Sequence, residues 1–321
     1  MEPIMAEPTV NQLVATTINN YHREFADNVS NSNAITALLR QGNRIRVIDG
    51  GKAISTPLTY AEETFAWYIG TELLSRAVKE TISEADYEPA NAVASVTLSG
   101  PDLAKNRGRE RILNLLEGKL DNAEATMKNN ITKAVYGDGT VAKSFVGLKG
   151  MVTDDGTGIV GGINATTWAF WKNQFQSVAR ATGLQYPALK AAMNALWMKL
   201  VRGTEHPDLI VLDAELYGTY ESGLQENQRY ASPSLGALGF ETLKYKSSAI
   251  VFDGAATGLS GGYFLNTKYM KLEVYRGRNF ETLDLPDQSP DMDAVTRHIA
   301  FMGALTLSNR AMQGRIFATG T

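Results

Sequence analysis

Leu113, Leu116, Leu120, Ala123, Met127, Ile131 and Val135 recur at steps of three and four, and this stripe constrains the chain more than any other feature. Such spacing puts all seven on one side of a helix. Ser99-Gly100-Pro101 opens it, because proline fits a first turn where its missing amide hydrogen costs nothing. Gly137 closes it by accepting a left-handed backbone. The pattern therefore predicts one helix over residues 102–136, weakened locally by Gly108 and Gly118. At 1.5 Å per residue it runs about 50 Å, longer than a compact domain needs, and a strut of that length suits a subunit that spans a surface.

The chain has 321 residues, enough for about two domains that bury roughly three quarters of their unfolded surface. It has no cysteine, which excludes disulfides, thiolate metal sites and cysteine nucleophiles. Lys plus Arg total 31 against 34 Asp plus Glu, so the field is weak and contact with nucleic acid is expected to be non-specific. Residues 1–10 are acidic and proline-containing, without the basic start and apolar core of a secretory signal. No apolar run approaches the roughly 18 residues that span a bilayer, so the chain reads as soluble, with no membrane partner.

Residues 1–42 read as an arm, with short helical pieces at 10–25 and 34–40 and too little apolar content for a core of its own. Residues 44–54 suggest a hairpin turning at Asp49-Gly50-Gly51. Over 55–89 the pattern turns irregular, with six glutamates and the aromatics Tyr60, Phe65, Trp67, Tyr68 and Tyr87. This mixture predicts a flap whose apolar groups are covered by something outside the chain. A short helix at 61–78, packed on its own core, is the competing reading.

Residues 92–98 return to strand. After the long helix come loops at 137–140 and 154–162, then helices at 167–178 and 186–201, the second burying Leu189, Ala192, Met193, Leu196, Trp197 and Leu200. Residues 209–212 read as a central strand, 214–223 as a helix, and 248–252 and 262–265 as further strands, an alternation that makes an α/β domain. A β pair at 268–275 and 294–308, joined by an acidic loop, closes the chain.

No constellation of reactive groups stands out. Gly156-Thr157-Gly158-Ile159-Val160-Gly161 has the letters of a dinucleotide loop but no buried strand before it and no helix directly after it, and reads as a mobile loop. His22, His206 and His298 are scattered, which argues against a metal site. Asp154, Asp155, Asp284, Asp287, Asp291 and Asp293 carry charge suited to a hard cation but lack the glycine and glutamate of a calcium loop, and read as solvated turn acids. Arg276 and Arg278 beside Glu281 form a charge cluster suited to a neighbouring subunit. Neither a cofactor site nor a nucleophile and base pair can be defended, which favours a structural role.

The order of arm, flap, long helix, α/β part and closing pair resembles the major capsid proteins of tailed bacteriophages, with the shell fold named for phage Hong Kong 97. Ser95-Val96-Thr97-Leu98-Ser99-Gly100, Tyr136-Gly137-Asp138-Gly139-Thr140, Pro207-Asp208-Leu209-Ile210-Val211 and Phe264-Leu265-Asn266-Thr267-Lys268-Tyr269 carry the likeness. The resemblance implies an α+β, Hong Kong 97-type capsid fold. It would have an arm (1–42), a peripheral domain (43–144) with an E-loop (about 55–89) and a spine helix (about 102–136), an axial domain (145–262), and a closing pair (263–321) returning to the peripheral domain. It implies a non-catalytic subunit that self-associates into hexamers, pentamers and an icosahedral shell around phage double-stranded DNA, assembled in the host cytoplasm. A separate scaffold, a portal and decoration proteins would be its partners. Tyr60, Phe65, Trp67, Tyr68, Arg276, Arg278, Asp284 and Asp287 are then the expected subunit contacts. An encapsulin-type compartment shell, or a hydrolase with two carboxyl groups about 5 to 10 Å apart, are the alternatives.

Overall fold

The computed structural model describes residues 34–73, 78–101, 109–141, 143–179, 184–224, 242–253, 259–283 and 293–320. The expected helix at 10–25, His22, residues 102–108, Asp284, Asp287 and Asp291 lie outside them.

In chain order the elements are α1 (Ala34–Gln41), β1 (Ile45–Ile48), β2 (Ile54–Thr59), β3 (Ile82–Tyr87), β4 (Ala90–Ser99), α2 (Arg109–Tyr136), α3 (Leu148–Met151), β5 (Ile159–Val160), β6 (Ile163–Asn164) and β7 (Gln174–Ala179). There follow α4 (Tyr186–Leu200), β8 (Leu209–Leu212), α5 (Ala214–Ser222), β9 (Thr242–Tyr245), β10 (Ser248–Phe252), β11 (Gly262–Leu265), β12 (Met270–Thr282), β13 (Ala294–Leu307) and β14 (Gly314–Thr319).

The stripe of the long helix is buried as its spacing requires, at Leu120, Ala123, Met127, Ile131 and Val135. α2 lays this face on a four-stranded sheet of order β1-β12-β13-β4, and α1 closes the same core with Ile35 and Leu39. The second sheet has six strands, in the order β7-β14-β11-β8-β10-β9. Its centre is β8, in which Leu209 and Val211 face the core shared with α2 while Ile210 and Leu212 face α4 and α5. A strand buried on both faces must be apolar at every position, which is why it reads Leu-Ile-Val-Leu.

Several expectations need correction. Residues 44–54 are not a hairpin: β1 runs parallel to β12, with Ile45 opposite Leu272, and β2 pairs with β3 instead. The glycines at 50 and 51 allow the chain to depart as readily as to reverse, and β12 offers β1 an edge that would otherwise stay unpaired. Residues 174–179 form strand β7, not the end of a helix; their exposure alternates residue by residue and β14 supplies parallel partners. The described residues of 61–78 contain no helix. Strand β14 joins the six-stranded sheet beside β7 and β11, so residues 263–321 contribute to both sheets.

The Gly156 to Gly161 loop is held rather than mobile. It ends in a tight hairpin, β5 to β6, whose turn residues Gly161 and Gly162 both have positive φ, at 59° and 75°. A two-residue turn of that hand needs glycine. Fully buried Arg310 donates to the Thr157 carbonyl at 2.7 Å and holds the loop from behind.

Candidate subunit-contact surface

The flap is a two-stranded ribbon, paired from Ile54 opposite Tyr87 to Thr59 opposite Ile82. Its foot is buried through Ile54, Leu58, Ala85 and Tyr87, and the Tyr87 hydroxyl donates to the Leu307 carbonyl at 2.8 Å. Beyond the ribbon, Phe65, Trp67, Tyr68, Ile69, Leu73 and Val78 all lie exposed, Trp67 by 90% and Leu73 fully. Single exposed apolar side chains are ordinary, but this many within one short segment form a patch. Phe65 and Trp67 meet edge-on with centroids 5.3 Å apart.

Tyr60 differs from the other expected contacts. It stacks on Phe170 at 5.2 Å and meets Trp168 at 6.1 Å, so its own chain covers part of it. Arg276 and Arg278 lie exposed on β12, where Arg276 pairs with Asp49 at 2.8 Å. Both side chains of that pair are mostly in solvent, so the pair contributes little to stability. The aromatic and basic candidates stand on different elements and make two surfaces rather than one site.

A third surface escaped the sequence. Between β4 and the C-terminal half of α2 runs a cleft of about 420 Å³, lined by Ala92, Val93, Met127, Ile131 and Phe301 and bordered by Lys133 and Lys143. No single stretch of sequence announces it, because β4, α2 and the loop after it each supply part of the lining. Asp138 is the acid at this border. The hydroxyl and amide of Thr140, then Lys149 at 3.0 Å, hold its carboxyl well below the usual range, so it is charged and already engaged. The flap, by contrast, carries exposed Glu62, Glu63, Glu72, Glu80, Glu84 and Glu88.

The remaining polar candidates have local partners. His206 Nδ1 lies 2.8 Å from the Pro207 carbonyl, and His298 Nδ1 lies 2.8 Å from Ser95 Oγ. Asp154 accepts from Arg315 at 2.7 Å. Asp155 accepts from the hydroxyl and amide of Thr157, which lower its pKa. Among the described residues no three His, Asp or Glu side chains gather as a metal would require.

A long helix on a four-stranded sheet, a six-stranded α/β layer beside it and a projecting ribbon define the Hong Kong 97-type shell fold. No family model and no curated protein sequence matches the chain. Solved structures do. A chain of the Cyanophage A-1(L) capsid asymmetric unit matches with a TM-score of 0.66 and 16% identity, over 86% of this chain and 91% of that one. A chain from the capsid of a native GTA particle matches at 0.60 and 14%, over 88% and 90%. One from Mycobacterium phage Bobi matches at 0.56 and 12%, over 87% and 90%. At such identities the likeness shows the fold.

Proposed function

We propose that this chain is a major capsid subunit, which self-associates through hexamers and pentamers into an icosahedral shell around phage double-stranded DNA. The role is structural, without catalysis. One observation carries the reading: within a fold shared with capsid chains over nearly its whole length, the flap holds a patch of apolar side chains out in solvent. The cleft between β4 and α2 has the complementary character, apolar within and lysine-bordered where the flap is acidic. Both surfaces belong to one chain, so a flap lying on a neighbour's cleft makes a head-to-tail contact that repeats from copy to copy and closes into rings. A separate scaffold, a portal, decoration proteins and non-specific contact with packaged DNA follow from this role, as do assembly in the host cytoplasm and residence in the virion. The peripheral unit comprises 43–144 with most of the closing pair, and the axial unit about 145–262.

Negative-stain microscopy of purified protein, with and without the deletion of residues 59–84 bridged by a short glycine linker, tests the proposal. Closed shells are expected from the intact chain and folded, unassembled subunits from the deletion. Monomers at all concentrations and salts with scaffold supplied, or normal shells from the deletion, would overturn it. Shells that enclose a cargo protein instead of DNA would favour the encapsulin-type reading.

A further inference from the structure

The chain crosses between its two sheets at two places that lie side by side. One crossing leaves β11, passes through Asn266 and enters β12; the other leaves β13, passes through the turn Arg310–Met312 and enters β14. Gln313, fully buried, clamps the two together. Its Oε1 accepts from the Asn266 amide at 3.0 Å, and its Nε2 donates to the Asn266 carbonyl at 3.1 Å. The Ser308 amide donates to the Tyr269 carbonyl at 2.9 Å, a further bond between the crossings.

Arg310 ties this joint to the loop behind it. Its guanidinium donates to the Met151 carbonyl at 2.6 Å, the Thr157 carbonyl at 2.7 Å, Thr153 Oγ1 at 3.1 Å and the Trp171 carbonyl at 3.5 Å. All four acceptors are uncharged. Burial therefore pulls its pKa down to about 10, yet it stays charged at neutral pH. A buried cation is tolerated only where its donors are met, so these four groups are held to one arrangement.

The foot of the flap is fastened to the same place by two routes. The Tyr87 hydroxyl bonds to Leu307, the residue at which β13 ends. The Asp86 amide donates to the Gly161 carbonyl at 3.0 Å, at the tip of the hairpin that grows from the Arg310-bound loop. The approach there is close: a Cβ on Gly161 would lie 2.7 Å from Ala85 Cβ and 3.1 Å from the Tyr87 ring.

We propose that this joint is a coupling device that makes the heading of the flap and the angle between the two sheets one mechanical variable. A shift at residues 307–313 carries the flap with it through Leu307 and Tyr87, and through Arg310, the loop and Gly161. The coupling belongs to the single subunit; its consequence for shell curvature rests on the capsid reading. The physical warrant is a continuous run of satisfied hydrogen bonds between rigid elements, which coupling measurements can test.

Hydrogen exchange on the purified subunit, comparing Tyr87→Phe with Tyr245→Phe, provides that measurement. The control removes a hydroxyl that donates to Asn194 Oδ1 at 2.6 Å, away from the joint. Tyr87→Phe is expected to speed exchange roughly five- to tenfold at 82–87, at 307–313 and also at 151–157, segments the control leaves unchanged. Acceleration confined to 82–87 would overturn the coupling. Gly161→Ala, which wedges loop and flap apart, should accelerate 82–87 and 307–313 together; a response limited to the loop would count against the proposal in the same way. In assembly, both variants are expected to give particles of mixed size, and uniform wild-type shells from both would overturn the link to curvature. If wild type itself forms no shells, the capsid reading fails while the exchange result still decides the coupling.

Discussion

The six-stranded layer and the flap are both rich in aromatic rings, and they treat them in opposite ways. In the layer, Trp197 is 6% exposed, stacked on His206 at 5.7 Å and edge-on to Tyr245 at 5.7 Å. In the flap, Trp67 is 90% exposed. The residue type is the same, and the difference lies in whether a second layer covers it. A sheet with helices on its face has one, while a two-stranded ribbon has none and is marginal alone. The layer therefore adds its rings to the stability of the subunit, while the flap holds its rings out in solvent, where the proposed role would use them for association.

The sharpest way to break this division is to charge a covered position. Met127→Asp puts an unpaired carboxylate on the buried stripe of α2 and should cost about 4 kcal/mol or more, losing the soluble subunit, whereas exposed Lys128→Ala should stay within about 0.5 kcal/mol. Equal soluble yields would show the stripe is not a core. Next come the two tryptophans. Trp197→Ala should destabilise the subunit by about 3 to 5 kcal/mol in thermal or urea unfolding. Trp67→Ala should leave subunit stability within about 0.5 kcal/mol while light scattering reports lost assembly. The reverse result would erase the contrast between the regions.

Smaller effects sharpen it. Asp213 caps α5, accepting from the Leu216 amide at 2.8 Å and, across the layer, from the Gly261 amide at 2.6 Å. Asp213→Ala should lower the urea midpoint by the equivalent of about 1 to 2 kcal/mol and leave flap proteolysis unchanged. The smallest effect is acid sensitivity at Asp155. Its folded pKa lies below its unfolded one because Thr157 donates to the carboxylate, so its contribution is present above about pH 4 and is lost as pH falls through the folded value. The group is mostly exposed, so the loss should be shallow, and Asp155→Asn should flatten that part of the stability curve; an unchanged curve would show that Thr157 contributes nothing there.

Local patterns were legible in the sequence and distant pairings were not. The six apolar positions expected to form one face from Leu189 to Leu200 are all buried, because a one-sided stripe is set within fifteen residues of chain. Residues 174–179 carry the same information as many helical segments until β14 is known to lie beside them. Phe65, Trp67 and Tyr68 stood out as rings among charges, and so did Tyr60. What separates Tyr60 is Phe170, a neighbour only in space. Arg310 looked like any surface arginine, since nothing nearby in sequence announces that its acceptors are backbone carbonyls of a far segment. The cleft is built by β4, α2 and the loop after it, and no single one of them predicts it.

The pairing of the four-stranded sheet also sets a timetable. Ile45 lies opposite Leu272 and Leu98 opposite Val295, so the strands made first on the ribosome find their partners only after those made near the end. Contacts between such distant positions form late, because loop closure must be met before they reward it. Until residues 294–307 have emerged, α2 lacks the finished sheet beneath its apolar stripe, and the cleft that borders it has no floor at Phe301. At that stage the flap residues are already made while the cleft is still incomplete. If the proposed flap-on-cleft contact holds, competence to associate arrives with the last strands, and unfinished chains on neighbouring ribosomes are kept from joining one another.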